Sequence, residues 1–321
     1  AMTEQELEKA LRTAAEADVA VIFAGLPEIF ESEGYDRTSM KLPQCQDRLI
    51  EEVLKVQPNV VVVLHNGSPV ELPWADRVSA ILEMYLGGQG VGEACDWLLY
   101  GEANPSGRLA ETFPYRLEDN PSFLHFPGNE KRVLYGEDIF VGYRYYDTKK
   151  VPVRYAFGHG LSYTEFTYGD LTLSSAQMTD EDILTVSLKV KNSGKTEGKE
   201  VVQLYVADLC GTPERPVKEL KGFAKVHLLP GEEKTVSMEI LARDLSYYEE
   251  RLGDWYAPSG TYRILIGHAS DDIRLHADIV FKTKKKLPLR VDFTTTFGEL
   301  LDHTKTAPVI TELLAPLAAA A

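Results

Sequence analysis

An α/β domain built on a parallel sheet, followed by an all-β sandwich of immunoglobulin-like architecture, is the fold class that this 321-residue sequence predicts. Three observations predict it. Helix and strand patterns alternate three times in the first hundred residues, and each strand is a continuous apolar run rather than an alternating one, as in a buried parallel sheet. From about Phe166 the pattern changes to short strands with turn signals about every 10 to 15 residues. The composition, 44% hydrophobic and 26% charged, is that of a globular protein.

Residues 4 to 17 place Leu7, Ala10, Leu11 and Ala14 on one helical face. "VAVIFAG" follows as a strand, "QDRLIEEVLKV" as a helix, "NVVVVLHNG" and "SAILEMYLGG" as two more strands, and "VGEACDWLLYG" as a third helix. The continuous apolar strands imply a sheet covered on both faces. Three strands make a small sheet, since four to six are usual, and the chain starts on a helix, so residues outside it could complete the sheet. The Gly-, Pro- and Tyr-rich stretch up to "YAFGHGLSYT" reads as loops and short strands. "ILTVSLKVKNSG", "KEVVQLYVAD", "ELKGFAKVHLLPGE", "KTVSMEILARD", "DWYAPSGTYRILIGHAS" and "IRLHADIVF" form the sandwich strands. The expected boundaries are 3–164 for the α/β unit, 165–284 for the sandwich, and 285–321 for a linker and tail with one helix near Pro308 to Leu317.

The formal net charge of −15 argues against nucleic acid or an anionic membrane as the main partner. No apolar run reaches the length of a membrane-spanning helix. The charged N-terminal helix is no signal peptide, which sets cytoplasmic residence as the expectation. Cys45, Cys95 and Cys210 are widely spaced and odd in number, and are read as reduced, packed thiols.

Several motifs invite chemistry. "LGGQGVGEA" (86–94) is glycine-rich, but it follows the third strand, and no acid stands where a ribose would need one. It reads as a tight strand-to-helix turn. In "HNGSPVELP" (65–73), His65 and Ser68 lie at a strand end, where α/β sheets bind ligands. No nucleophile elbow surrounds Ser68, so lining a polar cleft is the most this pair supports. "YGEDIFVGYRYYD" (135–147) reads as a strand with tyrosines covering the core. His159 lacks a second ligand at metal spacing and is structural; Trp74, Trp97 and Trp255 are assigned to packing.

The remaining motif is "PEIFESEGYDR". It leaves the carboxyl end of the first strand and carries Glu28, Glu31, Glu33 and Asp36. Gly34 permits a turn that larger residues resist. Ile29, Phe30 and Tyr35 offer apolar surface that could raise a carboxyl pKa, and Asp36 and Arg37 can satisfy each other. From residues alone, a solvated acidic loop and a catalytic one stand equally open.

The stretches "ESEGYDR", "NGSPVELPWADRVSAILEMYLGGQGVGEACDWLLYGEANPSGRLAETFP", "YGEDIFVGYRYYD" and "YAFGHGLSYTEF" resemble, in order, the signatures of glycoside hydrolase family 3, the β-glucosidase and β-xylosidase group. "VVQLYVAD" and "PVKELKGFAKVHLLPGE" resemble its fibronectin type III-like domain. The resemblance runs from about Thr3 to Leu317. It implies retaining, exo-acting cleavage of β-linked glucosides or related glycosides. The nucleophile of such enzymes is an Asp on a (β/α)8 barrel, and the acid/base is a Glu on a loop of the α/β sandwich domain. Matched to that loop, Glu33 is the acid/base candidate, with Glu31 and Glu28 as second choices.

No segment here resembles the barrel, the nucleophile motif, or the stretch that opens the sandwich domain. The resemblance therefore implies a partner chain or segment that carries the barrel, and this chain alone is expected to be inactive. No metal or organic cofactor is implied. The β-sandwich is assigned to packing, with a homo-oligomer contact open to it. Two rivals stand beside this reading: a non-catalytic carbohydrate-binding or scaffold module, and a Glu31–Glu33 pair acting within the chain.

Overall fold

The computed structural model of the chain describes residues 2–129, 131–212, 214–288 and 291–318. Helix α1 (Glu4–Glu16) opens on a capping box in which Thr3 and Glu6 satisfy each other's backbone N–H groups. Its periodic apolar face turns inward, with Leu7 and Ala14 buried. Strand β1 (Ala20–Gly25), helix α2 (Gln44–Val56), and strands β2 (Val60–His65) and β3 (Ala80–Glu83) follow. The three strands are parallel in the order β1-β2-β3. A single turn at Gly88–Gly90 then leads into α3 (Val91–Leu99), as the glycine spacing predicts.

The expectation of a sheet covered on both faces holds for β2 but not for β1. Ala14 of α1 and Ile50 and Val53 of α2 pack with Ala24, Val60, Val62 and Leu64 on one face. On the other face Val63 is fully buried, yet its neighbours across the ladder stand in solvent: Val21 is 42% and Phe23 58% exposed. The apolar run in β1 predicts burial, but nothing among the described residues covers that face.

Strand β4 (Phe113–Pro114) pairs with β5 (Val153–Tyr155). Between them the tyrosine-rich stretch does not form the expected strand. Gly142, at φ +55°, starts helix α4 (Tyr143–Lys149). Tyr143 and Tyr146, one turn apart, share a face; Tyr146 is buried, and Tyr143 stacks on Phe157 with ring centroids 4.8 Å apart. The tyrosine spacing there is helical, not two-residue.

The sandwich comprises β6 (Phe166–Leu173), β7 (Gln177–Thr179), β8 (Ile183–Asn192), β9 (Gly198–Asp208), β10 (Glu219–Leu228) and β11 (Glu233–Leu241). After one short helix, α5 (Ala242–Leu245), come β12 (Tyr247–Glu249), β13 (Asp254–Tyr256), β14 (Gly260–Gly267) and β15 (Ile273–Lys282). Its two sheets run β10-β9-β14-β15-β7 and β11-β8-β6. The core interleaves side chains of both, among them Val186, Leu188, Leu204, Val206, Ile264 and Phe281. Beyond β15 lie α6 (Phe297–Asp302), capped by Thr296, and α7 (Ala307–Ala318), which matches the expected tail helix. Residues 289, 290 and 319–321 of the expected tail lie outside the described residues.

A buried polar network joins the two parts. Glu200 on β9, fully buried, accepts from Arg108 Nη2 at 2.8 Å and from the Tyr168 hydroxyl at 2.7 Å, and meets His268 Nδ1 at 2.7 Å. Gln203 reaches across to the Gly158 carbonyl. The three thiols are free. Of the tryptophans, only Trp74 is wholly packed, its Nε1–H donating to Asp47 at 2.9 Å. Trp97 is 44% and Trp255 37% exposed, the latter lying edge-on to Tyr248 beneath the Arg243 guanidinium. His159 stacks on Tyr155, in keeping with a structural role.

Candidate active site

The acid loop sits where strand ends of a parallel sheet gather ligand-binding groups. β1 ends at Gly25, whose N–H and C=O are both held by the Gln46 side chain, at 2.9 and 3.0 Å. The chain then makes a turn in which Phe30 N–H donates to the Pro27 carbonyl at 2.7 Å. The Tyr35 hydroxyl donates back to the Glu28 carbonyl, closing the loop on itself. Gly34 turns it at φ +89°, the left-handed region that favours glycine.

The three candidate carboxylates stand in different surroundings. Glu28 and Glu33 are exposed, and among the described residues neither carboxylate has a hydrogen-bond or ion-pair partner. Glu31 is tied down. One oxygen accepts from Gly67 N–H at 2.7 Å and the other from the Ser68 hydroxyl at 3.1 Å. Arg37 Nη1 lies 3.7 Å from the second oxygen and donates to Ser68 Oγ at 2.7 Å. Arg37 therefore joins Glu31 and Ser68 rather than Asp36, as the sequence suggests. Burial draws its guanidinium below the ordinary value, against the pull of Glu31 and Glu111.

The expected apolar shell around the loop is absent among the described residues. Ile29 is 80%, Phe30 43% and Tyr35 49% exposed, so none of the three encloses a carboxylate. Ser68 lines a cleft of about 420 Å³ with Arg37, Pro69, Glu111, Glu137 and Tyr146. His65 does not join it; its ring stacks on Phe23.

Two acids that sequence reasoning missed lie beneath the loop. Glu83, the last residue of β3, accepts from Tyr85 N–H at 2.8 Å and Asn66 Nδ2 at 3.1 Å. Burial pushes its carboxyl up to about 7, and neighbouring Glu111 and Glu31 reinforce this. Burial and Glu31 likewise raise Glu111, with Arg37 opposing. An acid ending the apolar run "AILE" was the available signal for Glu83. Asn66 is fully buried, and its Oδ1 has no hydrogen-bond partner among the described residues. No group of three or more His, Cys, Asp or Glu among the described residues is placed to hold a metal ion.

Fold and site define a class first: a two-part protein with a carboxylate-rich cleft at the carboxyl ends of its parallel strands, joined to an immunoglobulin-like sandwich. Comparison with known proteins narrows it. Residues 2–163 match the glycosyl hydrolase family 3 C-terminal domain, and residues 200–270 the fibronectin type III-like domain. The chain is 50% identical over 311 residues to thermostable beta-glucosidase B of Acetivibrio thermocellus, covering 97% of this chain and 41% of that protein. It is 46% identical over 286 residues to a beta-glucosidase of Kluyveromyces marxianus, covering 88% of this chain and 33% of that one. Among solved structures, the Bifidobacterium adolescentis GH3 beta-glucosidase superposes with a TM-score of 0.88 at 38% identity, over 97% of this chain and 46% of that chain. The Kluyveromyces marxianus enzyme in complex with glucose gives 0.82 at 44% identity, over 87% of this chain and 34% of that chain. The chain belongs to glycoside hydrolase family 3 and corresponds to its C-terminal part. It spans between a third and about two-fifths of the length of these curated relatives.

Proposed function

We propose that this chain supplies the general acid/base of a retaining, exo-acting β-glycosidase of β-glucosidase type, and that Glu33 is that residue. The observation that carries the reading is the contrast within one loop. Glu31 is engaged at both oxygens, whereas Glu33, two residues on, projects unpartnered into solvent from a loop pinned at the strand ends. A proton-transfer group must reach the glycosidic oxygen, and an exposed carboxylate on an anchored loop is free to do so.

In this reading the nucleophilic Asp lies on a (β/α)8 barrel outside the chain, since retaining hydrolysis needs two carboxyl groups about 5 to 5.5 Å apart. Glu33 protonates the departing oxygen while that Asp attacks the anomeric carbon. Glu33 then takes a proton from the water that releases the sugar. The uncovered face of β1 at Val21 and Phe23, and exposed Leu124, Leu134 and Tyr135, support docking of a further segment. That segment would also supply the dry surroundings that Ile29, Phe30 and Tyr35 do not.

The test replaces Glu33→Gln in the enzyme assembled with its barrel. Hydrolysis of alkyl β-glucosides is expected to fall about 100-fold or more. Azide should restore turnover on a substrate with an activated leaving group, by taking the place of the base-activated water. Unchanged hydrolysis of an alkyl glucoside would end the assignment.

A further inference from the structure

Resting on the assignment of Glu33, we infer that Glu31 is a positioning residue for the acid/base, fastening the loop to the carboxyl end of β2. A single short link leads from it to the chemistry. Glu31 grips Gly67 N–H and the Ser68 hydroxyl, at 2.7 and 3.1 Å. Arg37, on the far side of Glu33, reaches the same Ser68 at 2.7 Å and the Pro69 carbonyl at 3.4 Å. The five residues between these anchors, 32 to 36, hold Glu33 near their middle. Both ends of the Glu33 segment are therefore tied to one four-residue stretch, 66–69, which continues directly from a strand buried in the sheet.

The fit at Gly67 is close. A Cβ there would stand 3.1 Å from Glu31 Oε1 and 3.1 Å from Leu86 Cδ1, tighter than ordinary contact. Glycine at 67 thus lets the carboxylate come down onto the backbone, where a charge-assisted hydrogen bond is stronger than a neutral one. The same engagement disfavours Glu31 as the acid/base, because each of its oxygens already accepts a hydrogen bond that a swing towards substrate would break. The loop then has a division of labour: Glu31 and Arg37 hold, and Glu33 reacts.

The first experiment uses this chain. In Glu31→Ala, amide hydrogen exchange over residues 28–37 and at Gly67 should accelerate about tenfold or more, the equivalent of one lost charge-assisted bond, while β2 stays protected. Unchanged exchange in the loop would overturn the inference. Glu31→Gln keeps a carbonyl acceptor for Gly67 N–H and should recover part of the protection. Gly67→Ala loosens the same fastening without touching any loop residue, and should resemble Glu31→Ala.

The second experiment uses the enzyme assembled with its barrel, comparing an alkyl glucoside with a dinitrophenyl glucoside. A misplaced acid costs most where the leaving group needs a proton. Glu31→Ala should therefore lose up to about 100-fold in kcat/KM, which reports the glycosylation step, on the alkyl substrate, and only a few-fold in kcat/KM on the activated one. Combined with Glu33→Ala it should add nothing further. Equal losses on both substrates would mark Glu31 as merely structural. If Glu33→Ala shows the leaving-group dependence and Glu31→Ala does not, this inference alone fails. If Glu33→Ala lacks that dependence, the assignment beneath it fails as well.

Discussion

Two carboxylates, a half-buried one under the acid loop and a fully buried one at the domain junction, have opposite fates. Burial raises both. Glu83, at the end of β3, meets only neutral donors, a backbone N–H and an asparagine amide, with two further acids nearby; its carboxyl rises to about 7. At Glu200 burial pushes upward too, but the His268 hydrogen bond and the Arg108 charge outweigh it, and the carboxyl falls below its ordinary value. The deeper of the two is the one that is lowered, so company rather than depth decides. The junction is built to hold a charge; the strand-end site is built to make one uncomfortable, which is where altered proton affinity belongs in a functional cleft.

The largest effect should come from breaking the junction. Arg108→Met keeps the aliphatic bulk but removes the cation paired directly with Glu200, leaving it the His268 and Tyr168 bonds and the more distant charge of Arg274. Removing one member of a buried ion pair costs about 3 to 5 kcal/mol, read by chemical denaturation at pH 7. The sign of the pH dependence is set by Glu200. Its lowered carboxyl stabilises the fold above the unfolded-state value, and that stability is lost as pH falls through the folded-state value. In Arg108→Met the carboxylate protonates more readily, so the penalty should shrink as pH falls towards 4. A penalty that does not change with pH would mean that Arg108 acts through packing alone.

Glu83 should behave in the opposite sense. A carboxyl raised to about 7 binds a proton in the folded state where the unfolded chain has already released it. Stability therefore declines as pH rises from about 4.5 to about 7 and levels off above. Glu83→Gln keeps an acceptor for Tyr85 N–H and the shape of the side chain, but has nothing to ionise. Relative to the native chain it should gain up to about 3 kcal/mol between pH 4.5 and pH 8, measured as the difference between two thermal-melting series. Parallel series would show that Glu83 is not held near neutrality.

The contrast also marks what the sequence could reveal. The three strand–helix alternations and the sandwich strands were legible because they depend on local periodicity, and the long motifs carried the family. The uncovered face of β1 was not, since an apolar strand reads the same whether its cover lies in this chain or elsewhere. The tyrosine stretch misled because spacings of two and three coexist in "YRYYD", and Gly142 decided between them. At the site, Glu28, Glu31 and Glu33 could be nominated from spacing and family likeness. Their separation into one fastened and two free carboxylates depends on Gly67 and Ser68, more than thirty residues away. The partnership of Arg108 with Glu200 spans 92 residues and leaves no local trace.

The finest test of the comparison is Tyr168→Phe. The hydroxyl donates to Glu200 Oε1 at 2.7 Å, and its loss removes a donor but no charge. The same oxygen still meets His268 Nδ1 at 2.7 Å, and the other oxygen keeps Arg108, so no buried acceptor is left alone. The cost should be about 1.5 kcal/mol, the low end for a hydrogen bond to a charged group. In a Glu200→Gln background, where the acceptor is neutral, it should be smaller still, and the double-mutant cycle isolates that difference. If charge dominates the junction, the series must run Arg108→Met, then Tyr168→Phe, with a clear gap between them. A Tyr168→Phe penalty equal to that of Arg108→Met would mean that the number of donors, not the cation, keeps Glu200 ionised, and the contrast with Glu83 would have to be redrawn in those terms.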